Sequence, residues 1–466
     1  MRRAEYHSLD GLARRPFTFL ADRHILMPIR RFYIGALAIN DIPGSETATR
    51  TATKTATKRF VILASIIFAG EMIFSLPFHI TRFFRPTFLE VFSISNTQLG
   101  DIFAAYGVVA MLSYFPGGII ADRFAPRKLM TFSLLATALG GLYLYSIPQA
   151  SGLKLLFAYW GVTSILLFWG AMIKVTRQWG AADTQGLAFG LLDGGRGFVA
   201  SLFASGAVLI LSISVGAGSG AGLGNIILFY TLVTAIAALV IWFTLPANTD
   251  KPELEAGIKR THIIETLKNT NVWIQGGIVI AAYCGYKALD NYGIYAVDVL
   301  GMSQLESAEF TTLASYSRPI AAIAAGLIVD RFSASSVIRI LFTVLMAAFV
   351  LLAVFDPSTN LSSEMAWFVM ANLIITFVAV YALRGVYFAL LEESKVKLHS
   401  TGTAVGIISL LGFTPDIFFA PITGRILDAN PGFVGFQHYF LALAAVALAG
   451  LVLSAFLVKR VSNIRT

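Results

Sequence analysis

From Phe60 to about residue 458 the chain is a succession of long apolar stretches separated by short polar or glycine-containing segments. Each stretch is close to the roughly 20 residues that a helix needs to cross the hydrocarbon of a bilayer. They run near 60–84, 98–121, 128–147, 154–176, 187–213 and 225–245, then near 272–298, 308–329, 336–355, 364–391, 403–424 and 438–458. They are far too long for membrane-barrel strands, and the alternation of such strands is missing. The pattern predicts an all-α integral membrane protein of twelve transmembrane helices in two six-helix halves. The expected divisions are a tail at 1–58, a first half at 59–245, a cytoplasmic linker at 246–270, a second half at 271–460 and a cytoplasmic end at 461–466. The tail holds a Thr-Ala-Thr-Arg/Lys tetrad repeat over 47–58. Its polar, basic composition predicts disorder, and without a long apolar run it does not read as a secretory signal.

Composition agrees with lipid as the solvent. The 466 residues are 56% hydrophobic and 13% charged, against roughly 25% charged in soluble domains. The net charge of +9 is explained by topology, not by nucleic acid. Lys and Arg gather in alternate loops: Arg123, Arg127 and Lys128; Lys174 and Arg177; the linker; Arg331 and Arg339; Lys395 and Lys397; Lys459, Arg460 and Arg465. The intervening segments Ser212–Asn225, 299–307 and 356–363 contain neither. This bias predicts cytoplasmic termini. The single cysteine, Cys284, excludes an internal disulfide. The six histidines (His7, His24, His79, His262, His399 and His438) are scattered, mostly near loops or in the tail. With no metal-ligand spacing and no phosphate loop, no metal, cofactor or enzymatic activity is expected.

The two halves share an internal repeat. Gly118-Ile-Ile-Ala-Asp122-Arg123-Phe124 closes the second stretch and Gly326-Leu-Ile-Val-Asp330-Arg331-Phe332 the eighth. Gly186-Leu-Ala-Phe-Gly190 opens the fifth and Gly402-Thr-Ala-Val-Gly406 the eleventh. Parallel halves related by an axis along the membrane normal are a known transporter architecture. Gly118-x-x-x-Asp122-Arg123-x-x-x-Arg127-Lys128 resembles the signature loop of the major facilitator superfamily. Its Ala125-Pro126 before the basic pair is a variant similar to the organophosphate and organic-anion branches. Asp193-Gly-Gly-Arg196-Gly, with upstream Lys174, Arg177 and Trp179, resembles poorly characterised bacterial permeases of that superfamily. The resemblance implies a monomeric inner-membrane transporter whose halves rock about a central site. It also implies that Asp122 latches the inner gate through a neighbouring Arg and a helix N-terminus. The copy at Asp330-Arg331, followed by Ser333, Ala334 and Ser335, is expected to be weaker. Gly118 is expected to allow close helix approach, and Gly186, Gly190 and Gly194 to form one small-residue face. Asp193 and Arg196, spaced i, i+3, are positioned to pair with each other.

Ionisable residues within membrane spans mark functional sites by default. Glu71, Arg318 and Asp416 fall midway along spans one, eight and eleven. Lys287 and Asp290 fall in the outer half of span seven, and Arg384 in the inner half of span ten, one turn from Tyr387. Lys174, Arg177, Glu392 and Glu393 lie near inner ends and suit snorkelling. The resemblance implies that spans one, four, seven and ten line the cavity, which brings Glu71, Lys287, Asp290 and Arg384 to it. Arginine suits a fixed anion, and a desolvated carboxylate suits a proton. Hence Glu71, with Asp416, is the expected proton site, while Arg318, Arg384 and Lys287 are expected to hold an anionic headgroup. The alternative role for these charges is internal pairing. Tyr106, Tyr283, Tyr286, Tyr292 and Trp169 either line the cavity or pack. Arg82 and Arg85 fall near the outer end of span one, which weakens a phosphate-exchange assignment. The expected activity is proton-coupled symport of a small organic anion, with lipid as the only other partner. Efflux or exchange antiport and a non-transporting sensor are the rivals. The Gly-Pro pair typical of antiporters is missing between Gly186 and Ser214, and the linker is short for a signalling domain.

Overall fold

A computed structural model describes residues 45–179, 185–214, 216, 218–247, 266–329, 331–357, 363–393 and 401–463. By Cα packing the chain divides into Met1–Val61 and Ile62–Thr466. In the first unit the described residues are helical: the tetrad repeat lies inside the helix Ser45–Met72. The disorder expected over 1–58 is not found at 45–58, which are helical instead and continuous with the first span; residues 1–44 lie outside the described residues. All that follows concerns the second unit.

Its described residues form twelve helical rods, and no strand occurs among them. Ten are long and apolar enough to cross a membrane: Asn96–Ala121, Pro126–Tyr145, Ala150–Trp179, Ala188–Ser214, Ser219–Thr244, Gln304–Val329, Ala334–Val354, Glu364–Ala389, Ala404–Ala429 and Phe433–Arg460. The first span is bent by 45° between Met72 and Ser75, where a π-helical turn, Ser75–His79, contains Pro77. Proline and π-turns are the usual causes of such kinks. The seventh runs as Thr270–Ala288, a 3₁₀ turn Leu289–Asn291 and Tyr292–Asp298. It carries Asn271, Gln275, Lys287, Asp290 and Asn291, all buried, so protein rather than lipid surrounds its polar face.

Local chemistry sets the helix starts. Ser95 and Gln98 form a reciprocal capping box before the second span, and Ser303 and Glu306 another before the eighth, each satisfying two orphan backbone donors. Pro126 begins the third, where its missing N–H is no loss. The first half holds two apolar clusters, one around Leu134 and one around Trp160 and Tyr230, and the second half one around Phe342, Tyr295 and Phe440; the cluster at Trp160 also takes in Ala308 and Ala420 of the second half. Leu112, Phe115, Phe243, Leu313 and Trp367 point outward and exposed, a surface that only lipid would cover.

Call the face with Arg123, Arg127 and Lys128 the basic face. At the opposite face the halves touch backbone to backbone. A Cβ on Gly100 would lie 2.4 Å from the Ala420 carbonyl oxygen, one on Gly107 2.4 Å from that of Asp416, and one on Gly424 2.4 Å from that of Asn96. Span two thus packs along Pro415–Ala429, the far part of span eleven, whereas Thr401–Gly412 turns to span seven. The halves close at the opposite face and part toward the basic face.

That closure carries a polar latch. The Asp428 carboxylate accepts from the Asn96 and Thr97 backbone N–H groups at 3.1 and 2.6 Å. It therefore caps the N-terminus of span two, a contact worth about 0.3–1 kcal/mol when exposed. Arg425 adds a 3.0 Å bridge to Asp101. Spans five and eight join through Ser201–Ser315 at 2.7 Å and Ser205–Tyr316 at 3.0 Å.

Two expectations about glycine change. Gly118, Gly190 and Gly194 face open space; the close approaches are at Gly117 against Leu166, Gly195 against Ile67 and Gly197 against Arg318. The side of span five packed on span eight is Gly197, Ser201 and Ser205, and the Gly190–Gly194 stripe is turned away. Two further residues differ from expectation. Lys174 does not snorkel but donates to the Ala121 carbonyl at 2.8 Å, near the end of span two. Arg127 lies over the Trp242 ring at 4.1 Å. Asp330 and the side chain of Asp122 lie outside the described residues, while Arg123, Lys128 and Arg331 are exposed.

Gly424→Leu should wedge the closed face open. With spin labels at Gln98→Cys and Asn430→Cys in a Cys284→Ser background, the distance distribution should move several ångström outward. Asp428→Asn should move it less, and an unchanged distribution in both would contradict this closure.

Candidate functional site: a charged cavity between the halves

A cavity of about 100 Å³ lies between the halves, lined by residues of spans one, two, four, five, seven, eight, ten and eleven. A water needs roughly 10–15 Å³ by this measure, so a solute of several heavy atoms fits. The wall mixes rings (Phe74, Phe78, Tyr114, Trp169, Phe413) with the charged groups Glu71, His79, Arg82, Arg196, Lys287, Arg318, Arg384 and Asp416.

The charges form two clusters. In the first, Glu71 accepts from Arg196 Nε at 3.0 Å through Oε2, while its Oε1 lies 3.0 Å from His79 Nε2 and 3.9 Å from Arg318 Nη1. Arg318 Nη2 donates to Asp193 Oδ1 at 2.9 Å, and Arg384 Nη2 lies 3.8 Å from the same oxygen. In the second, Arg82 Nε donates to Asp290 Oδ1 at 2.5 Å, and its Nη1 to the Tyr286 hydroxyl at 2.8 Å. Lys287 Nζ sits 3.2 Å from Asp290 and 3.5 Å from Asp416. The Tyr283 hydroxyl donates to Asp416 at 3.1 Å. The Tyr286 ring takes Arg384 at 4.2 Å and Arg82 at 4.6 Å, and cation–π attraction is strong where water is excluded.

Both clusters cross between the halves. Arg82 of span one holds Asp290 of span seven, and Asp193 of span five holds Arg318 of span eight. The second cluster balances, two cations against two carboxylates. The first does not: Arg196, Arg318 and Arg384 face only Glu71 and Asp193. Its polar groups are also incompletely satisfied. Among the described residues, Arg318 Nε, Arg384 Nη1 and His79 Nδ1 are buried without a hydrogen-bond partner. Native structures leave few such atoms, and each one asks for an explanation.

The structure brings Glu71, Lys287, Asp290, Arg318, Arg384 and Asp416 to one place, along with Tyr106, Tyr283, Tyr286 and Trp169. Tyr292 is buried elsewhere, bonded to Thr376. Tyr387 does not line the cavity; it is buried beside it, packed on Phe388 where span ten passes into a 3₁₀ turn. Asp193 and Arg196 do not pair with each other; each reaches across to another helix. Arg82 is no peripheral residue: the bend of span one carries it onto the cavity wall. Arg85 stays at the closed end, bonded to Asn96 at 3.1 Å. His79 was readable as an intramembrane histidine two turns after Glu71, where i, i+4 and i, i+8 positions share a face. Among the described residues no group of three or more His, Cys, Asp or Glu side chains assembles.

Comparison with known proteins fits this arrangement. The family model of the Major Facilitator Superfamily matches residues 61–415. The chain is 29% identical to inner membrane protein YihN of Escherichia coli (strain K12), over 87% of this chain and 97% of that one. It is 24% identical to inner membrane protein YqcE of the same organism, over 86% and 94%. Among solved structures, a mutant of nucleoside transporter NupG superposes with a TM-score of 0.67 at 12% identity, covering 86% of this chain and 99% of that one. Such an identity speaks for the fold alone, whereas the family model spans most of the chain. With its twelve rods, repeated halves and central cavity, this multi-pass membrane protein belongs to the Major Facilitator Superfamily.

Proposed function

We propose that the protein is a secondary transporter that carries a small organic anion across the inner membrane by alternating access, coupled to a proton. The observation that carries the anion is the surplus guanidinium of the first cluster, with Arg318 Nε and Arg384 Nη1 lacking partners. Arginine keeps its charge and presents a planar fork to carboxylate, phosphate or sulfonate. The surrounding rings suit an organic body. Lys287, held between two carboxylates, is a strut of the site and not an anion ligand. Asp193, whose side chain is 37% exposed, occupies part of the anion's place and competes with it. Inner-membrane placement is supported by the names of the two relatives. Cytoplasmic termini and opening of the basic face to the cytoplasm are supported by the charge bias of the loops, and the chain acts as a monomer in this reading.

Alternating access follows from the closure at one face and the cross-half ion pairs. An anion that replaces Asp193 on Arg318 and Arg384 releases span five from spans eight and ten. The halves then re-pair at the basic face and separate at the Gly100–Gly424 contact.

Purified protein in detergent should be stabilised against thermal unfolding by one class of organic monoanion and not by neutral sugars or nucleosides. A ligand at one hundred times its Kd adds about 2.7 kcal/mol. Arg384→Gln should abolish this stabilisation; its persistence would make that arginine a structural partner only. Asp193→Asn should melt lower by itself yet bind the same anion about tenfold tighter, since it removes the internal competitor (about 1.4 kcal/mol). Equal or weaker binding would sink the competition.

A further inference from the structure

Glu71 is the expected proton carrier from position alone, but its surroundings argue otherwise. We propose that the proton is carried by His79, taken up at Nδ1, and that Glu71 is the fixed carboxylate that orients it. The identity of the carrier stands on local geometry; only its coupling to an anion rests on the function proposed above.

His79 ends the π-helical turn of span one, is 3% exposed and belongs to the cavity wall. Its charged and titratable neighbours come from several helices. Glu71 and Arg82 share its span, Arg196 and Arg318 approach from spans five and eight, and Tyr230 of span six stands edge-on to the ring at 5.7 Å. Glu71 Oε1 lies 3.0 Å from Nε2. An ionised carboxylate only accepts hydrogen bonds, so Nε2 bears the hydrogen and Nδ1 of the neutral ring bears a lone pair. That lone pair is buried and has no hydrogen-bond partner among the described residues, so the ring holds an unused site for a second proton, reached when the halves move apart.

The two possible carriers differ in what they leave behind. A proton on Glu71 leaves Arg196 at 3.0 Å and Arg318 at 3.9 Å facing a neutral acid, the unfavourable case of a buried pair broken from one side. A proton on His79 breaks no pair and turns its hydrogen bond with Glu71 into an ion pair. Imidazole is also the side chain whose ordinary titration falls near neutral pH.

The surplus guanidinium links this proton to the anion. In the empty site it opposes a further positive charge on His79. An anion on Arg318 and Arg384 adds its charge while Asp193 stays on the neighbouring span, which brings the cluster to balance and removes that opposition, so anion and proton each strengthen the binding of the other by the same factor. One proton then accompanies one monoanion.

The test uses the full chain, labelled with ¹⁵N-histidine and purified in detergent, with the His79 signal identified by its loss in His79→Gln. The pH is titrated with and without benzoate, methanesulfonate and methyl phosphate as monoanion probes. His79 should gain its second hydrogen at Nδ1 as the pH falls, with a higher midpoint when a probe binds. The Kd of that probe should weaken by up to about tenfold per pH unit above the free-protein midpoint, and this slope should vanish in His79→Gln. If His79 stays neutral throughout with a probe bound, or the slope survives in His79→Gln, the proposal is overturned. The wild-type titration decides the matter even if the variant folds poorly. If His79 titrates but no probe shifts it, while a neutral solute such as adenosine does, His79 stands as carrier and the anion reading alone falls.

Discussion

Charge in an apolar medium must be paired, and this chain pairs its charges across the boundary that has to move. An unpaired ion at the centre of a membrane helix costs roughly 2.5–3.5 kcal/mol on insertion scales. Here five cations and four carboxylates surround one small cavity. Each arrangement of the two halves therefore has to satisfy these groups. The cross-half bridges Arg82–Asp290 and Asp193–Arg318 bind the halves in the conformation described. In the proposed transport, the one surplus charge is what receives the anion.

Around this electrostatic centre the remaining devices are weak and local. Backbone contacts at Gly100, Gly107 and Gly424 let spans two and eleven meet without side chains between them. The Asp428 cap and the Arg425–Asp101 bridge add polar contacts at the exposed rim. None of these is large, which suits an interface that opens in every cycle of the proposed transport. The stiffness lies inside each half, where most of the apolar packing falls; only a few residues such as Ala308 and Ala420 join a cluster of the other half. That division between rigid halves and a breakable seam is the physical content of alternating access.

The fold was almost wholly legible in the sequence, because the length of an apolar helix in lipid is fixed by the bilayer and because the repeat at Gly118 and Gly326 declared two halves. The site was legible in membership more than in wiring. Glu71, Lys287, Arg318, Arg384 and Asp416 stood out as charges deep within apolar spans, a signal that needs no tertiary structure. Their partners did not. The spacing of Asp193 and Arg196 suggested a pair within one helix, but both side chains find stronger partners across helix boundaries. Arg82 was hidden by the bend after Met72, which a linear count of residues does not register. The glycines misled for a similar reason: Gly118 and Gly190 sit in repeated motifs, yet the close contacts fall at Gly117 and Gly197, since a motif does not fix which side of a helix meets its neighbour.

The measurement closest to the centre of this account is solute counterflow in proteoliposomes. Vesicles loaded with a single unlabelled compound are diluted into a trace of the same compound labelled, with no proton gradient imposed. The account predicts transient accumulation for a class of small organic monoanions, absent in Arg318→Gln vesicles. Accumulation confined to neutral or cationic solutes, unaffected by that substitution, would contradict it and return the arginines to the role of struts between the halves.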